Sequence, residues 1–316
     1  MCTAITYNSN NFYFGRNLDV EREYNEGIVI TPRSFCLKMR SAEDLVEHYA
    51  IIGMATVIDD YPLYFDATNE KGLSMAGLNF PGNADYKSFC EGKNNVTPFE
   101  LIPYILGKCK SVAEANLELE KINILNLSFS NELSLSPLHW IISDKNSSIT
   151  VESVKEGLLV CENPVGVLTN NPTFNFHLTN LNNYMSLSER VSQNNLSNSL
   201  ELENYSLGMG ALGLPGDFSS ASRFVKAAFV KFKSQVFKTE KENVCHFFHI
   251  LDSVAMPKGC VLARENEYEY TRYSSCCNTE KGIYYYKTYN DFNVKSFDLN
   301  FYNLNSSELI VEDKLS

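Results

Sequence analysis

Near the start of the chain apolar and polar positions alternate with a period of two, a spacing that predicts strands. CTAITY alternates, NSNN supplies turn-forming residues and FYFGR is a second β-rich run, so a hairpin is expected to begin at Cys2. GIVITP, YAIIGMA and GLSMAGLNF follow as further strand-like runs, separated by glycine or polar breaks. Between Thr97 and Asn123 the period lengthens to that of a helix. PFELIPYILGKC places Pro98 where a first helical turn tolerates it. Ser111 and Glu114 then form a capping box ahead of Val112, Ala115, Leu119 and Ile122 at three- and four-residue spacing. Two helices are therefore predicted after the opening strands.

LHWIISD, SSITVES, GLLVC and GVLTN return to strand, and the Asn- and Ser-rich span near 193–205 reads as a long loop or extension. SSASRFVKAAFVKFKSQVF is amphipathic, with Phe224, Val225, Ala228, Phe229, Phe232 and Val236 on one stripe. NVCHFFHILDSVAM predicts a further helix, and the tyrosine-rich tail, YEYTRYSS and GIYYYKTY, is again β-rich. The order β, α, β, α, β predicts an α+β chain in which two sheets pack together with helical layers outside. No composition break marks a boundary, so residues 2–316 are expected to form a single domain.

A net charge of −11 without clustered Lys or Arg argues against nucleic acid, because phosphate binding needs such clusters. No apolar run reaches the roughly 18–20 residues a membrane helix needs, and no basic region precedes an apolar stretch at the start, so a cytoplasmic chain is expected. Nine cysteines, an odd number without CxxC spacing, fit reduced thiols better than a disulfide framework. His246 and His249 in CHFFHI could face one way on a helix, but no Cys or carboxylate stands at ligand spacing. Packing against the core is expected there, and no metal.

Chemistry concentrates at the start. The small side chain of Cys2 allows removal of Met1, after which one residue would carry both a thiol and an α-amine. A free thiol has a pKa near 8.5 and an α-amine one of about 7.7–8.0, so the amine can take the thiol proton and later return it to a departing nitrogen. On the next predicted strand, Arg16 would favour the thiolate and Asp19 could hold the ammonium.

MCTAITY with FGRNLD, NEKGLSMAGLNFPG, GVLTNNPTF, GLPGDFSSASRF and EKGIYYYKTY, in that order, resemble the choloylglycine hydrolases of the N-terminal nucleophile superfamily, and within them the bile salt hydrolases. The resemblance runs from Cys2 to about Tyr289. It implies a four-layer αββα sandwich, a homotetramer for whose assembly the 193–205 extension is available, no cofactor, and hydrolysis of glycine- or taurine-conjugated bile salts. It also implies Cys2 as nucleophile, with Arg16, Asp19, Asn79, Asn170 and Arg223 as its catalytic companions. A carboxamide about 3 Å from a developing oxyanion can stabilise it, which makes Asn79 the candidate donor. Asn170 would fix the amine and the tetrahedral carbon, and Arg223 would order the polar cluster.

The nearest rival is penicillin V acylase, in which a tyrosine commonly stands where Asn79 stands here. A silent ligand-binding module on the same sandwich is the other alternative. A conjugated bile salt has a large apolar body and needs an apolar wall beside the polar end. Leu18, Ile58, Phe65, Leu127, Phe129 and Leu133 are the candidates for it.

Overall fold

A computed structural model describes residues 1–315. The chain opens with β1 (Cys2–Asn8), β2 (Phe12–Val20), β3 (Gly27–Thr31), β4 (Ile51–Ile58), β5 (Tyr61–Asn69), β6 (Ser74–Asn79) and β7 (Asn94–Val96). Helices α1 (Leu101–Lys108) and α2 (Val112–Leu119) follow, then β8 (Ile122–Ile124), β9 (Leu138–Ser143), β10 (Ser148–Val154), β11 (Gly157–Glu162) and β12 (Val167–Leu168). Next come α3 (Phe174–Asn180), α4 (Ser220–Lys233) and α5 (Glu240–Asp252). β13 (Val261–Arg264), β14 (Glu267–Asn278), β15 (Ile283–Thr288), β16 (Lys295–Asp298) and β17 (Ile310–Lys314) close the chain.

The strands form two large antiparallel sheets. One has the order β12-β1-β2-β14-β15-β16, with β13 added to β14; the other runs β11-β10-β9-β6-β5-β4-β3-β17. Side chains explain the layering. In β4, Ile52 and Met54 join the core between the sheets, while Ile51 and Ala55 join a second core under α1 and α2. Because both faces are buried, the segment reads as an almost unbroken apolar run rather than an alternating one. On the far side Phe224 and Ala227 of α4, with Phe247 and Leu251 of α5, cover the first sheet. The layers are helix, sheet, sheet, helix, as expected.

Gly15 permits one close approach that positions the site. A Cβ there would lie 2.0 Å from the carbonyl oxygen of Ser275, so only glycine lets β14 come this near to β2.

Several local expectations are corrected. Ile122 lies on β8, parallel to β7, rather than on a helix, yet it is buried in the same core as Val112, Ala115 and Leu119. Its periodicity reported burial, not backbone. Pro98 sits in the turn before α1, and Pro103 is the proline inside the first turn. The Ser111 hydroxyl accepts from Glu114 N, but Glu114 returns its carboxylate to Lys110 N, so the capping box is half formed. A complete box stands instead at Thr239 and Glu242. Phe232 and Val236 are exposed, because α4 stops at Lys233 and its buried stripe ends earlier. His246 packs half-buried on Tyr7 and Phe237, whereas His249 is exposed. Residues 185–208 hold no helix or strand, which extends the expected loop.

Candidate active site

Antiparallel register brings the candidate residues together. β1 lies between β12 and β2, with Ala4 opposite Leu168 and Cys2 opposite Leu18. Continuing the first pairing by two residues sets Asn170 beside Cys2, and the Cys2 amide donates to Asn170 Oδ1 at 2.8 Å. Directly opposed residues share a face of a sheet. Cys2, Ala4, Arg16 and Leu18 therefore point toward the second sheet, and Thr3, Asn17 and Asp19 point toward the helices. Two arginines approach Cys2 from opposite sides of its own sheet.

Arg16 comes from the inner face and is fully buried. Its Nη1 donates to the carbonyls of Phe65 at 3.0 Å and Gly77 at 2.6 Å. Both acceptors are free because the ladder opens here. Phe65 is the extra residue of a bulge, since Met54 pairs with Asp66 and Ala55 already with Tyr64. The pairing of β5 with β6 stops at Asp66 and Ala76, one residue before Gly77. Arg16 fills that opening, and its Nη2 has no partner among the described residues.

Asp66, on the strand Arg16 plugs, is also buried. Its Oδ1 accepts from Tyr273 at 2.6 Å, and its Oδ2 from Tyr284 at 2.7 Å and Ser275 at 2.9 Å. Ser275 Oγ in turn accepts the Arg16 amide at 3.1 Å. Burial raises the pKa of the Asp66 carboxyl, and Arg16 and the three hydroxyls oppose that rise. Burial opposes the charge on Arg16 as well, but the field of Cys2, Tyr273, Asp66 and Asp19 outweighs it and leaves the guanidinium more basic than usual.

Arg223, in the first turn of α4, comes from the helix side. Its Nη1 donates to Cys2 O at 2.5 Å and Thr3 Oγ1 at 2.6 Å, its Nη2 to Asn170 Oδ1 at 2.7 Å, and its Nε to Phe218 O at 3.0 Å. Asp19 Oδ1 accepts from Thr271 at 2.6 Å. Asp19 Oδ2 lies 3.9 Å from Arg223 Nη1 and has no hydrogen bond among the described residues. Burial raises the Asp19 pKa against the pull of Arg223, the chain amine and Thr271. Burial lowers that of Arg223. Asn170 Nδ2 donates to Asn79 O at 2.6 Å, which brings the end of β6 into the cluster, while the Asn79 carboxamide makes no hydrogen bond among the described residues. Met1 is docked here too: its ammonium contacts Glu269 Oε2 at 2.5 Å and Asp19 O at 2.6 Å. With Met1 in place the Cys2 nitrogen is a peptide amide and cannot act as a base.

A cavity of about 360 Å³ opens beside Arg16, since Phe65 and Gly77, whose carbonyls hold that guanidinium, both line it. Ile58, Phe65, Phe129 and Leu133, four of the candidate wall residues, line this cavity. Leu18 and Leu127 do not: Leu18 is locked into the core opposite Cys2, and Leu127 is exposed. Among the described residues no group of three or more His, Cys, Asp or Glu could hold a metal, and no helix is long and apolar enough to cross a membrane.

Sequence reasoning missed Asp66, Tyr273, Tyr284 and Ser275. A signal existed in the acid within YPLYFDATN, because a carboxylate inside a buried strand must find donors. The alternating tyrosines of the tail supply two of them.

Residues 2–312 match the linear amide C–N hydrolases described as the choloylglycine hydrolase family. The chain is 55% identical over 310 residues to the bile salt hydrolase/transferase of Lactiplantibacillus plantarum, covering 98% of this chain and 96% of that one. Its fold matches a mutant conjugated bile acid hydrolase from Clostridium perfringens with a TM-score of 0.93 at 37% identity, over 100% of this chain and 97% of the other. It matches the penicillin V acylase of Agrobacterium tumefaciens in fold, with a TM-score of 0.78 at 20% identity, over 98% and 90% of the two chains. With a matched family over nearly its full length and a buried cysteine set among two arginines, an aspartate and two asparagines, the chain belongs to the choloylglycine hydrolase family and is a hydrolase of linear amide bonds.

Proposed function

We propose that the chain hydrolyses the amide bond of glycine- or taurine-conjugated bile salts, with Cys2 as nucleophile after loss of Met1. The observation that carries this reading is the convergence on one carboxamide. Asn170 receives Cys2 N and Arg223 and donates to Asn79 O, beside an apolar cavity able to take a steroid body. Once Met1 is gone, the nitrogen held at 2.8 Å from Asn170 is an amine. It accepts the proton from Sγ, and the thiolate attacks the amide carbonyl while the Asn79 carboxamide receives the oxyanion. The ammonium is held by Asn170 Oδ1 and by Asp19 Oδ2, the buried oxygen without a hydrogen bond among the described residues. It then returns the proton to the leaving nitrogen. Water, activated by the same amine, cleaves the thioester and frees the bile acid. Arg16 supplies the fixed charge that favours thiolate.

The relative from Lactiplantibacillus plantarum is named as both hydrolase and transferase, and a thioester of this kind is open to attack by an amine as well as by water. Penicillin V acylase is the less favoured reading, because that likeness, at 20% identity, is one of fold. We further propose a cytoplasmic homotetramer. The nine cysteines are unpaired, and Met185, Leu196, Tyr205 and Leu207, each at least 80% exposed, form an apolar extension suited to contact with other copies.

The test is amine release from glycocholate, taurocholate and penicillin V by the Met-trimmed protein. A clear preference for either bile conjugate is expected. Preference for penicillin V would overturn the substrate claim, and no turnover on any of the three would favour a ligand-binding module.

A further inference from the structure

Two buried histidines that the mechanism leaves unused stand directly behind Asn170. Thr169 and Asn170 lie past the end of β12, so their carbonyls have no strand partner. His139 Nε2 stands 2.9 Å from Thr169 O, and His177 Nε2 stands 2.9 Å from Asn170 O. A carbonyl oxygen only accepts, so each of these ring nitrogens carries a hydrogen. The two donors grip two successive carbonyls, while Ser220 Oγ takes the Asn170 amide at 2.8 Å from the other side.

The rings themselves are tied to the rest of the cluster. His139, on β9, stacks on Phe80 with centroids 4.2 Å apart and planes 7° from parallel. Phe80 follows Asn79. His177, on α3, stacks on Phe224 at 4.8 Å and 18°, and Phe224 follows Arg223. Glu152 links the two histidines: its Oε1 faces His139 Nδ1 at 3.1 Å and accepts the amide of Phe174, the residue that starts α3, at 3.0 Å. Both histidines and both phenylalanines are completely buried. Each imidazole thus holds a carbonyl beside the Asn170 carboxamide with one edge, and packs its face on the neighbour of another candidate residue.

We propose that His139 and His177 are positioning residues, which fix the main chain at Thr169 and Asn170 and so keep the Asn170 carboxamide aimed at the Cys2 nitrogen and Arg223. A misplacement of about 1 Å at a reacting group can cost on the order of 100-fold in rate. A histidine that only fills core volume would be replaceable by any ring.

The test compares His177→Phe, which keeps a stacked ring without a donor, with His177→Gln, which keeps an N–H at the reach of Nε2. His177→Phe is expected to lower kcat on glycocholate about 10–100-fold with KM within about twofold of the parent, and His177→Gln to recover most of the loss. Full kcat in His177→Phe, or an equal loss in both variants, would overturn the proposal. Should His177→Phe fail to fold by circular dichroism, the pair His139→Phe and His139→Gln is read by the same criterion. The inference rests on the proposed role of Asn170. Parent protein without turnover of glycocholate, taurocholate or penicillin V would overturn that role, whereas an active parent with an equally active His177→Phe would overturn only the positioning.

Discussion

Replacing Asp66 by Asn tests whether the link between the two sheets at Arg16 is electrostatic. The carboxylate accepts three hydroxyl hydrogens, one on Oδ1 and two on Oδ2. An amide of the same shape has one acceptor oxygen. If that oxygen faces Tyr273, then Tyr284 and Ser275 meet an NH2 group; in the other orientation Tyr273 does. One or two hydrogen bonds to a charged group are lost, each contributing about 1.5–3 kcal/mol, and Arg16 loses a compensating charge. A cost of about 2–5 kcal/mol follows. With roughly 2.1 cal/mol/K of unfolding entropy per residue, 316 residues convert this to a fall in Tm of about 3–8 °C. Thermal unfolding followed by circular dichroism measures it, and kcat/KM on glycocholate should fall with it, because Ser275 also receives the Arg16 amide. A Tm within about 1 °C of the parent would refute the reasoning, since no loss of buried charge-assisted bonds is that small.

Cys2→Ser should lose nearly all turnover while folding normally, since a hydroxyl is far too weak an acid for an amine base; substantial residual activity would place the nucleophile elsewhere. Leu133→Ser, at the exposed rim of the cavity, should raise KM for bile conjugates about 3–10-fold with little change in kcat or Tm, as expected for loss of an apolar contact present throughout the reaction. Glu118, on α2, is an acid-sensitive group. Burial alone would raise its pKa, but Lys108, Tyr104 and Lys121 hold it down at about 2. Its contribution is therefore complete above the ordinary carboxylate value of about 4.3 and is lost as pH falls through about 2. Denaturant titrations should then show Glu118→Gln losing its deficit of about 1–2 kcal/mol, discounted for solvent screening, between pH 5 and pH 2; a deficit independent of pH would contradict that assignment.

Most of the layer order was legible in the sequence because burial leaves a period. The opening hairpin follows from CTAITY, NSNN and FYFGR, and the strand register then carries Asn170 to Cys2 without any long-range signal of its own. What periodicity could not supply is which backbone a buried residue uses. Ile122 is apolar, buried and correctly spaced for α2, yet it belongs to β8, because α2 had already ended at Leu119. Likewise β5 was concealed by Pro62 near its start and by Asp66 in its middle. The acid is tolerated because its carboxylate is hydrogen-bonded by tyrosines some two hundred residues away, a pairing no local pattern reports, and the strand is also bulged at Phe65. The polar cluster was legible as a set of motifs. The opening between β5 and β6 that receives Arg16 was not, since it arises where two ladders stop pairing. Of the six wall candidates, four line the cavity. Leu18 was drawn in by its nearness to the site in sequence, although its register partner is Cys2 itself, and Leu127 by apolarity alone.

The most direct measurement of the central claim is to mix Met-trimmed protein with excess glycocholate, quench in acid within milliseconds to seconds, and record intact and peptide masses. A cholyl thioester on Cys2 should appear with the first glycine released and disappear when substrate is exhausted. Steady glycine release with no acyl adduct, or an adduct on any of the other eight cysteines, would contradict the claim.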